Sequence, residues 1–308
     1  MAIDLSTPAT AQTAPDRPAG RIGTPLQRRP GSEFSTRVQS GFRFLLRRPG
    51  FLLALVLVLL TIATAIVPGV FATHDPYQTV PADKLVPPSL SHWFGTDELG
   101  RDLYSRVVHG STLSVQAALL AVGIALVGGL TLGVLSGFIG GAVDAVIMRV
   151  VDVLLALPGL LLSLAIITAI GFGTIPVAVA VGVGIIPGFA RTTRAEVLRV
   201  RSQPYIEAAR LGGIGWLTIL IRHVLPNSWG PVAVLAVLDF GAAIIAAASL
   251  SFLGFGAAPP AAEWGTLIAN GRNFLVTAPW VSLVPGLVVV LVVFSINHIS
   301  KTLEELQR

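Results

Sequence analysis

The sequence predicts an all-α integral membrane protein with six transmembrane helices and both termini in the cytoplasm. Of its 308 residues, 53% are hydrophobic and only 12% are charged, whereas soluble domains carry roughly 25% charged residues. The mean hydropathy is +0.79, and the apolar residues gather in long runs separated by arginine-bearing loops. The chain contains no cysteine, so disulfides and cysteine-ligated metal sites are excluded.

Six apolar segments have, or nearly have, the roughly 20 residues that a helix needs to cross a bilayer. They are Phe51–Phe71, Leu113–Gly133, Val150–Ile170, Thr174–Phe189, Val232–Leu253 and Trp280–Ile299. The fourth is short and contains Gly182, Gly184 and Pro187. We expect this helix to be interrupted and lined by protein, because broken backbone groups need partners in a membrane.

The orientation follows from the distribution of arginine, which is enriched in cytoplasmic loops. The N-terminal tail holds eight arginines, and the loop 190–229 holds six against two acids. The segment 72–112 has three basic residues against five acids, and the loop 254–279 has one of each sign. Both termini and the loop 190–229 are therefore predicted to be inside, and the segment 72–112 outside.

The chain divides into four predicted parts. They are a disordered basic cytoplasmic tail (1–48), a first transmembrane helix with an external segment (49–112), a five-helix core (113–300) and a cytoplasmic C-terminus (301–308). A regulatory or lipid-surface role for Arg43, Arg47 and Arg48 is the alternative for the tail.

The net charge of +5 lies in loops that flank apolar runs, as membrane topology requires, so we expect a lipid bilayer and no nucleic acid as partner.

Small residues are dense in the predicted spans. In the second span and just beyond it they are Gly123, Gly128, Gly129, Gly133 and Gly137. Small side chains let helices approach closely, which indicates packing within the bundle. A sliding interface in a pore that opens and closes is the functional alternative.

The loop 190–229 contains the most distinctive pattern of the chain. Ser202 can cap a helix that starts at Pro204, with Glu207 in its first turn, where the helix dipole favours an anion. Ala208 and Ala209 give this helix a flat face, and Gly212-Gly213 ends it. A second helix is predicted over Trp216–Val224, stopped by Pro226. An ordinary amphipathic loop on the membrane surface is the alternative interpretation.

Three charged residues in or near the spans are candidates for a translocation path or for gating. Asp239 lies well inside the fifth span, where acids are costly and often functional, although it could lie close enough to the interface to be tolerated. Arg149 and Asp152 are three residues apart and can pair on one helix face. A structural ion pair is the alternative to gating for these two residues.

The remaining polar positions do not indicate catalysis. We interpret Asp97, Glu98, Arg101 and Asp102 as a structured outer turn. The five histidines are scattered over different segments without metal-ligand spacing and are expected to be structural. The glycine-rich loop that holds nucleotide phosphates is absent from the sequence, so this chain is not expected to be an enzyme.

One motif resembles a known family. The Glu-Ala-Ala signature of ABC importer permeases is resembled by the pattern Glu207-Ala208-Ala209, three residues, Gly213, nine residues and His223-Val-Leu-Pro226. The stretch Arg222–Asn227 resembles the dipeptide/oligopeptide/nickel branch of that family. Further similar segments lie between about Arg47 and Asn297. They are Trp93–Arg106, Gly140–Pro158, Arg191 with Arg194, Leu250–Gly256, Trp264-Gly265, Gly271-Arg272 and Ala278–Trp280. The chain is identified as the C-type partner; Ala247 and the C-terminus depart from the family pattern.

The resemblance implies a type I ABC importer permease fold in a bacterial cytoplasmic (inner) membrane. It implies three kinds of partner: a second, B-type permease subunit, two ATP-binding cassette subunits that bind ATP and Mg²⁺, and an external substrate-binding protein. No cofactor or metal is expected in this chain. The function implied is import of di- or oligopeptides by alternating access; import of nickel or another small solute is the alternative, and an ion-driven secondary transporter is the alternative class.

The resemblance also assigns roles to residues of the loop 190–229, which we term the coupling loop. Those expected to couple the pore to the ATPase subunits are Tyr205, Glu207, Ala208, Ala209, Arg210, Gly213, Leu225 and Pro226.

Overall fold

A computed structural model describes residues 48–307. The predicted tail therefore lies outside the described residues except for Arg48, which pairs with Glu305 at 2.6 Å. The described residues form helices and connecting loops. The helices are α1 (Pro49–Ile66), α2 (Pro68–Phe71), α3 (Leu103–Ile139), α4 (Gly141–Ala156), α5 (Gly159–Ile170), α6 (Thr174–Arg201), α7 (Pro204–Leu211), α8 (Trp216–Ile219), α9 (Leu225–Phe252), α10 (Trp264–Gly271) and α11 (Trp280–Gln307).

Within the described residues, five helices are long and apolar enough to cross a membrane. They are α1, α3, α6, the continuous stretch Trp216–Phe252 and the part of α11 up to Thr302. A sixth span is obtained when α4 and α5, which meet at 99°, are counted together. The bend falls at Leu157-Pro158; Leu157 is extended (φ −86°, ψ 137°), as the residue before a proline prefers to be. The break therefore lies in the third span.

The prediction that the fourth span is interrupted is wrong. Helix α6 runs without a break for 28 residues and contains Pro187 in its interior. A Cβ atom on Gly182 would lie 2.8 Å from the carbonyl oxygen of Ala121 on α3, so this glycine permits close packing instead of ending the helix. The prediction that this span is lined by protein is supported, since 44% of its most apolar stretch is buried.

Helices α3 and α6 form the central contact of the fold. Gly129, Gly133 and Gly137, spaced four apart, lie on one face of α3. Cβ atoms at these glycines would lie 2.1 Å from Phe189 Cβ, 2.5 Å from Thr193 Cβ and 2.9 Å from a Val197 methyl, respectively. The packing interpretation of these glycines is thus supported. Gly123 differs, because a Cβ there would meet nothing within 4 Å.

The main apolar core joins the spans on both sides of this contact. Helices α3, α5, α6, α9, α10 and α11 contribute buried side chains to one cluster. Trp264 on α10 is fully buried, and its Nε1 donates to the carbonyl of Val107 at 2.9 Å. Its backbone N–H donates to Ser114 Oγ at 3.2 Å. These bonds fix the segment between α9 and α11 against the start of α3.

Candidate functional site

Helix α7 begins and ends where the sequence predicts. Pro204 occupies its first turn and Glu207 is also in the first turn. At the other end Gly213 has φ +78°. The N–H of Gly213 donates to Arg210 O (3.0 Å) and that of Ile214 to Ala209 O (3.1 Å), which is the complete Schellman pair of C-terminal bonds. Gly213 is needed for its backbone conformation, because a Cβ there would meet nothing within 4 Å.

The capping role predicted for Ser202 is wrong. Gln203 occupies the N-cap position of α7, without a side-chain capping bond. Ser202 instead closes α6, where its hydroxyl donates to the carbonyl of Arg199 at 3.0 Å. Serine at the last turn of a helix can satisfy its hydroxyl in this way, and α6 extends further toward α7 than the apolar run suggests.

One side of α7 is anchored by Ile206, which sequence reasoning missed. Its side chain is 1% exposed and lies in a second apolar cluster. The other buried members are Val197, Val200, Ile219 and Val224, with Val134, Phe138, Ala209 and Leu220 packed around them. Because these residues belong to α3, α6 and the start of the fifth span, Ile206 ties α7 to three spanning helices. The only sequence signal is an apolar side chain between polar neighbours of α7.

The other side of α7 is open. Tyr205, Glu207, Ala208 and Arg210 are exposed, and Leu211 is 85% exposed. Trp216, just beyond the turn, is 66% exposed. Ala209 differs from the flat outer face predicted for it, since it is half-buried against the cluster. An exposed strip of mixed apolar and charged side chains on a rigidly mounted helix suits contact with another protein.

The second predicted helix of the loop takes another form. Helix α8 covers only Trp216–Ile219, a π-helical turn follows over Leu220–Val224, and the chain continues directly into α9. Pro226 therefore does not stop a helix; it lies in the first turn of α9. The N–H of Leu225 donates to Leu220 O, five residues back, so the wider turn accommodates a proline that would clash in a regular α-helix.

Two ion pairs fasten α4 to α6 beside this loop. Arg194 reaches both carboxylate oxygens of Asp144, at 2.5 and 2.6 Å, and Arg191 reaches Asp152 at 2.5 Å. The predicted pairing of Arg149 with Asp152 is therefore wrong, because Asp152 turns to a neighbouring helix; Arg149 is exposed. The bidentate Asp144 pair is the better-shielded one, with side chains 22% and 32% exposed, against 56% and 58% for Asp152 and Arg191.

Asp239 lies in the middle of α9 and is half-buried. Among residues 48–307 no hydrogen-bond or ion-pair partner is found for its carboxylate. The structure therefore does not bring Asp239 together with Arg149 or Asp152, the other two candidates for the path or for gating. A half-buried carboxylate without a protein partner on a spanning helix fits a water-filled or subunit-facing surface.

The predicted outer turn is present. The Asp97 carboxylate accepts bonds from the backbone N–H groups of Leu99 and Arg101 and from Arg101 Nε at 2.7 Å. Arg106 Nε lies 3.4 Å from the same carboxylate. Asp97, Arg101, Asp102 and Arg106 are all buried, so this turn is a folded ionic core and not a solvated charge run.

The expectation that all histidines are scattered is wrong for two of them. His74 and His92 meet over Asp102, with ring centroids 4.9 Å apart. The sequence did not reveal this cluster, because His74 and His92 lie in separate parts of the segment between α2 and α3 and Asp102 is the N-cap of α3.

Glu263 is a further buried acid, and the sequence motifs did not single it out. It is 1% exposed, accepts from Ser251 Oγ at 2.5 Å and from the N–H of Ala257 at 3.2 Å, and burial raises its pKa. It braces the loop between α9 and α10. A cavity of about 700 Å³ adjoins this loop, and its lining includes Glu98, Phe172 and Arg272.

Comparison with known proteins assigns the family. Residues 129–307 match the family described as the inner membrane component of binding-protein-dependent transport systems. The probable D,D-dipeptide transport system permease protein DdpC of Escherichia coli (strain K12) is 42% identical over 79% of this chain and 82% of its own length. The glutathione transport system permease protein GsiD of Pectobacterium atrosepticum is 40% identical over 86% and 88%.

Similarity extends to a further relative and to solved structures. The dipeptide transport system permease protein DppC of Alkalihalophilus pseudofirmus is 37% identical over 87% of this chain and 88% of its own. A chain of the inward-facing MetNI methionine ABC transporter shares the fold, with a TM-score of 0.55 at 19% identity over 66% of this chain and 97% of that one. The chain therefore belongs to the family of binding-protein-dependent transport system inner membrane components, as a C-type, non-catalytic permease subunit of an ABC importer in the bacterial inner membrane.

Proposed function

We propose that this permease forms half of a pore that imports di- or oligopeptides by alternating access. The support for the substrate class is that relatives 37–42% identical over most of both chains are named for dipeptides, D,D-dipeptides, di/tripeptides and glutathione, which are all short peptides or peptide-like molecules. Nickel or another small solute is the alternative cargo of the same machinery.

The geometric observation that carries the proposal is the mounting of α7. Ile206 anchors its inner face to the ends of three spanning helices, while Glu207, Ala208 and Arg210 stay exposed. A force applied to the exposed face is therefore transmitted to α3, α6 and α9 as a unit, because packed helices move as rigid bodies. Tyr205 belongs to the same exposed face, and Ala209 packs against the cluster that holds Ile206. Gly213, Leu225 and Pro226 complete the proposed coupling residues by shaping the end of this helix and its connection to α9.

The partners follow from this arrangement. The exposed face of α7 would lie in a groove of one ATP-binding cassette subunit, which binds ATP and Mg²⁺; a second such subunit would hold the corresponding helix of a B-type permease. A substrate-binding protein would deliver the peptide from outside. ATP and peptide can drive the cycle only by binding one state of the pore better than the other.

The topology that this requires has both termini and the coupling loop in the cytoplasm. Six arginines in the loop 190–229 support that side. The proposal needs α4 and α5 to act together as one span, since five crossings would put the termini on opposite sides. The ion pairs Asp144–Arg194 and Asp152–Arg191 would then brace the bent span against α6 at the cytoplasmic side, and Asp239 would face the path or the second subunit.

A matched pair of glycine variants tests coupling. Gly213→Pro removes the N–H that donates to the carbonyl of Arg210, and proline cannot adopt φ +78°. Helix α7 therefore loses its C-terminal cap. Gly215→Ala is the control, because its φ is −60° and a Cβ there meets nothing within 4 Å. Glu207→Lys provides an independent change on the exposed face.

We expect Gly213→Pro and Glu207→Lys to reduce uptake of a labelled dipeptide in cells at least tenfold, with normal amounts of protein in the membrane. Gly215→Ala should transport normally. Normal uptake by an inserted Gly213→Pro protein would contradict the coupling role. Uptake of nickel but of no peptide by the parent protein would leave the coupling role intact and assign the alternative cargo.

A further inference from the structure

We propose that His74, His92 and Asp102 form a binding site for a divalent transition-metal ion of the zinc class. One ligand atom from each residue lies within 4.8 Å of those from the other two. His92 Nδ1 is 2.9 Å and His74 Nδ1 is 3.8 Å from the same carboxylate oxygen, Asp102 Oδ1. In tetrahedral zinc sites, bonds of about 2.0–2.1 Å place neighbouring ligand atoms about 3.3 Å apart, between these two distances.

The carboxylate is held in position before any ion arrives. Asp102 is the N-cap of α3, and its Oδ2 accepts the N–H of Ser105 at 2.8 Å. This leaves Oδ1 directed at the two imidazoles. The Asp102 side chain is only 1% exposed, so the oxygen that faces the histidines has little competition from water and gains from a cationic partner.

The two histidines are also positioned by their own segments. The N–H of His74 donates to Ser105 Oγ at 3.0 Å, which holds this residue over the first turn of α3. The carbonyl of His92 accepts the N–H groups of Ser89 and Gly95 at 2.8 and 2.9 Å. These bonds fix the backbone of both histidines, which lowers the cost of ordering them when an ion binds.

The donor set selects the class of ion. Two imidazole nitrogens and one carboxylate oxygen suit zinc and its transition-metal neighbours, whereas Mg²⁺ and Ca²⁺ prefer six or more oxygens. His74 is 43% exposed and His92 15%, so an ion could enter from the His74 side and keep a water as its fourth ligand. The ion would take the place of the proton between His92 and Asp102.

Such an ion would clip the segment 73–92 to the start of α3. The site lies at the end of α3 opposite to the coupling loop: Gly137, at the other end, contacts Val197 of α6. A 37-residue helix is about 55 Å long, so the clip is remote from α7. Metal binding there does not depend on the proposed cargo or on the coupling role.

The test uses the full-length chain, purified with its partner subunits through an affinity tag that contains no histidine. After chelation, the protein is equilibrated with Zn²⁺ and passed into metal-free buffer, and retained zinc is measured by mass spectrometry. His74→Ala is the main variant because its side chain is exposed, and His92→Gln is the second. His109→Gln is the control, because His109 lies on the same helix start but contacts Ser105 O and Tyr77 instead.

We expect the parent protein to retain about one more zinc ion per permease than His74→Ala, with His92→Gln also depleted and His109→Gln unchanged. Zn²⁺, and not Mg²⁺, should slow amide hydrogen exchange within residues 73–92 at least several-fold in the parent protein. Equal zinc content in the parent and His74→Ala proteins would overturn the proposal, as would exchange in 73–92 that does not respond to zinc. Unchanged exchange in α3 and α6 between the variants establishes that they are folded.

Discussion

The side chain of Ile206 attaches the otherwise largely exposed helix α7 to the spanning helices. The residues next to it, Tyr205 and Glu207, are exposed. Ile206 itself is 1% exposed among residues of α3, α6 and the π-helical turn. Without it, α7 would keep only the partial packing of Ala209 on this cluster and the ring contact of Tyr205 with His223, and an eight-residue helix is not stable alone. Movement of α7 could then occur without movement of the spans.

We predict that Ile206→Ala lowers the free energy of unfolding by about 2–5 kcal/mol, as truncation of a fully buried isoleucine does, and reduces transport by loosening α7. Leu211→Ala is the control, since Leu211 is 85% exposed on the same helix and its truncation should leave stability within about 0.5 kcal/mol. Thermal unfolding of the two variants in detergent provides the comparison. Equal midpoints for Ile206→Ala and the parent would show that the cluster does not hold α7.

Among the elements, the contact of α3 with α6 determines how the rest is arranged. Its three glycines allow the two backbones to approach so closely that added Cβ atoms would fall inside van der Waals distance. Helix α6 then carries this contact without interruption into the coupling loop, where Arg201 Nη1 donates to the carbonyls of Gly137 and Phe138 at 3.3 and 3.1 Å. Motion of the loop and of the α3–α6 pair is thereby linked.

Two glycine-to-alanine variants on α3 separate packing from helix propensity. Gly133→Ala should lower the midpoint of thermal unfolding, because its Cβ would lie 2.5 Å from Thr193 Cβ and 2.6 Å from Ala190 O. Gly123→Ala should keep or raise the midpoint, since the space is open and alanine favours a helix by up to about 1 kcal/mol over glycine. A stable Gly133→Ala protein with full activity would contradict tight packing at this contact.

At the scale of the whole molecule, local features were predictable and long-range ones were not. The bounds of α7 and the role of Gly213 followed from the sequence because helix caps depend on neighbouring residues. The break at Pro158 instead of Pro187 did not, because a proline can either break a helix or be accommodated inside it. Pro187 is accommodated at a buried position of α6, which packs against α3. The partner of Asp152 is 39 residues away on α6, and sequence spacing within one helix could not reveal it.

The same limit concealed the cluster of His74, His92 and Asp102. Each residue lies in a different turn or cap, so no spacing rule connects them. The outer turn of Asp97 and Arg101 was recognisable because its bonds join residues four apart. The motif in the coupling loop was sufficient to identify the family. The roles of the individual residues of that loop rest on the proposed contact with an ATPase subunit.

The measurement that tests this contact most directly is cross-linking from a single cysteine on α7. This chain has no cysteine, so Ala208→Cys gives it a single thiol, which can be labelled with a maleimide photo-cross-linker in membranes that contain all subunits. Ser91→Cys is the control, because Ser91 is exposed in the segment 72–112, which we propose to lie outside the membrane. We predict a cross-link from Ala208→Cys to the ATP-binding subunit and none from Ser91→Cys. Labelling of Ala208→Cys by a membrane-impermeant maleimide in intact cells, or the absence of its cross-link to that subunit, would contradict it.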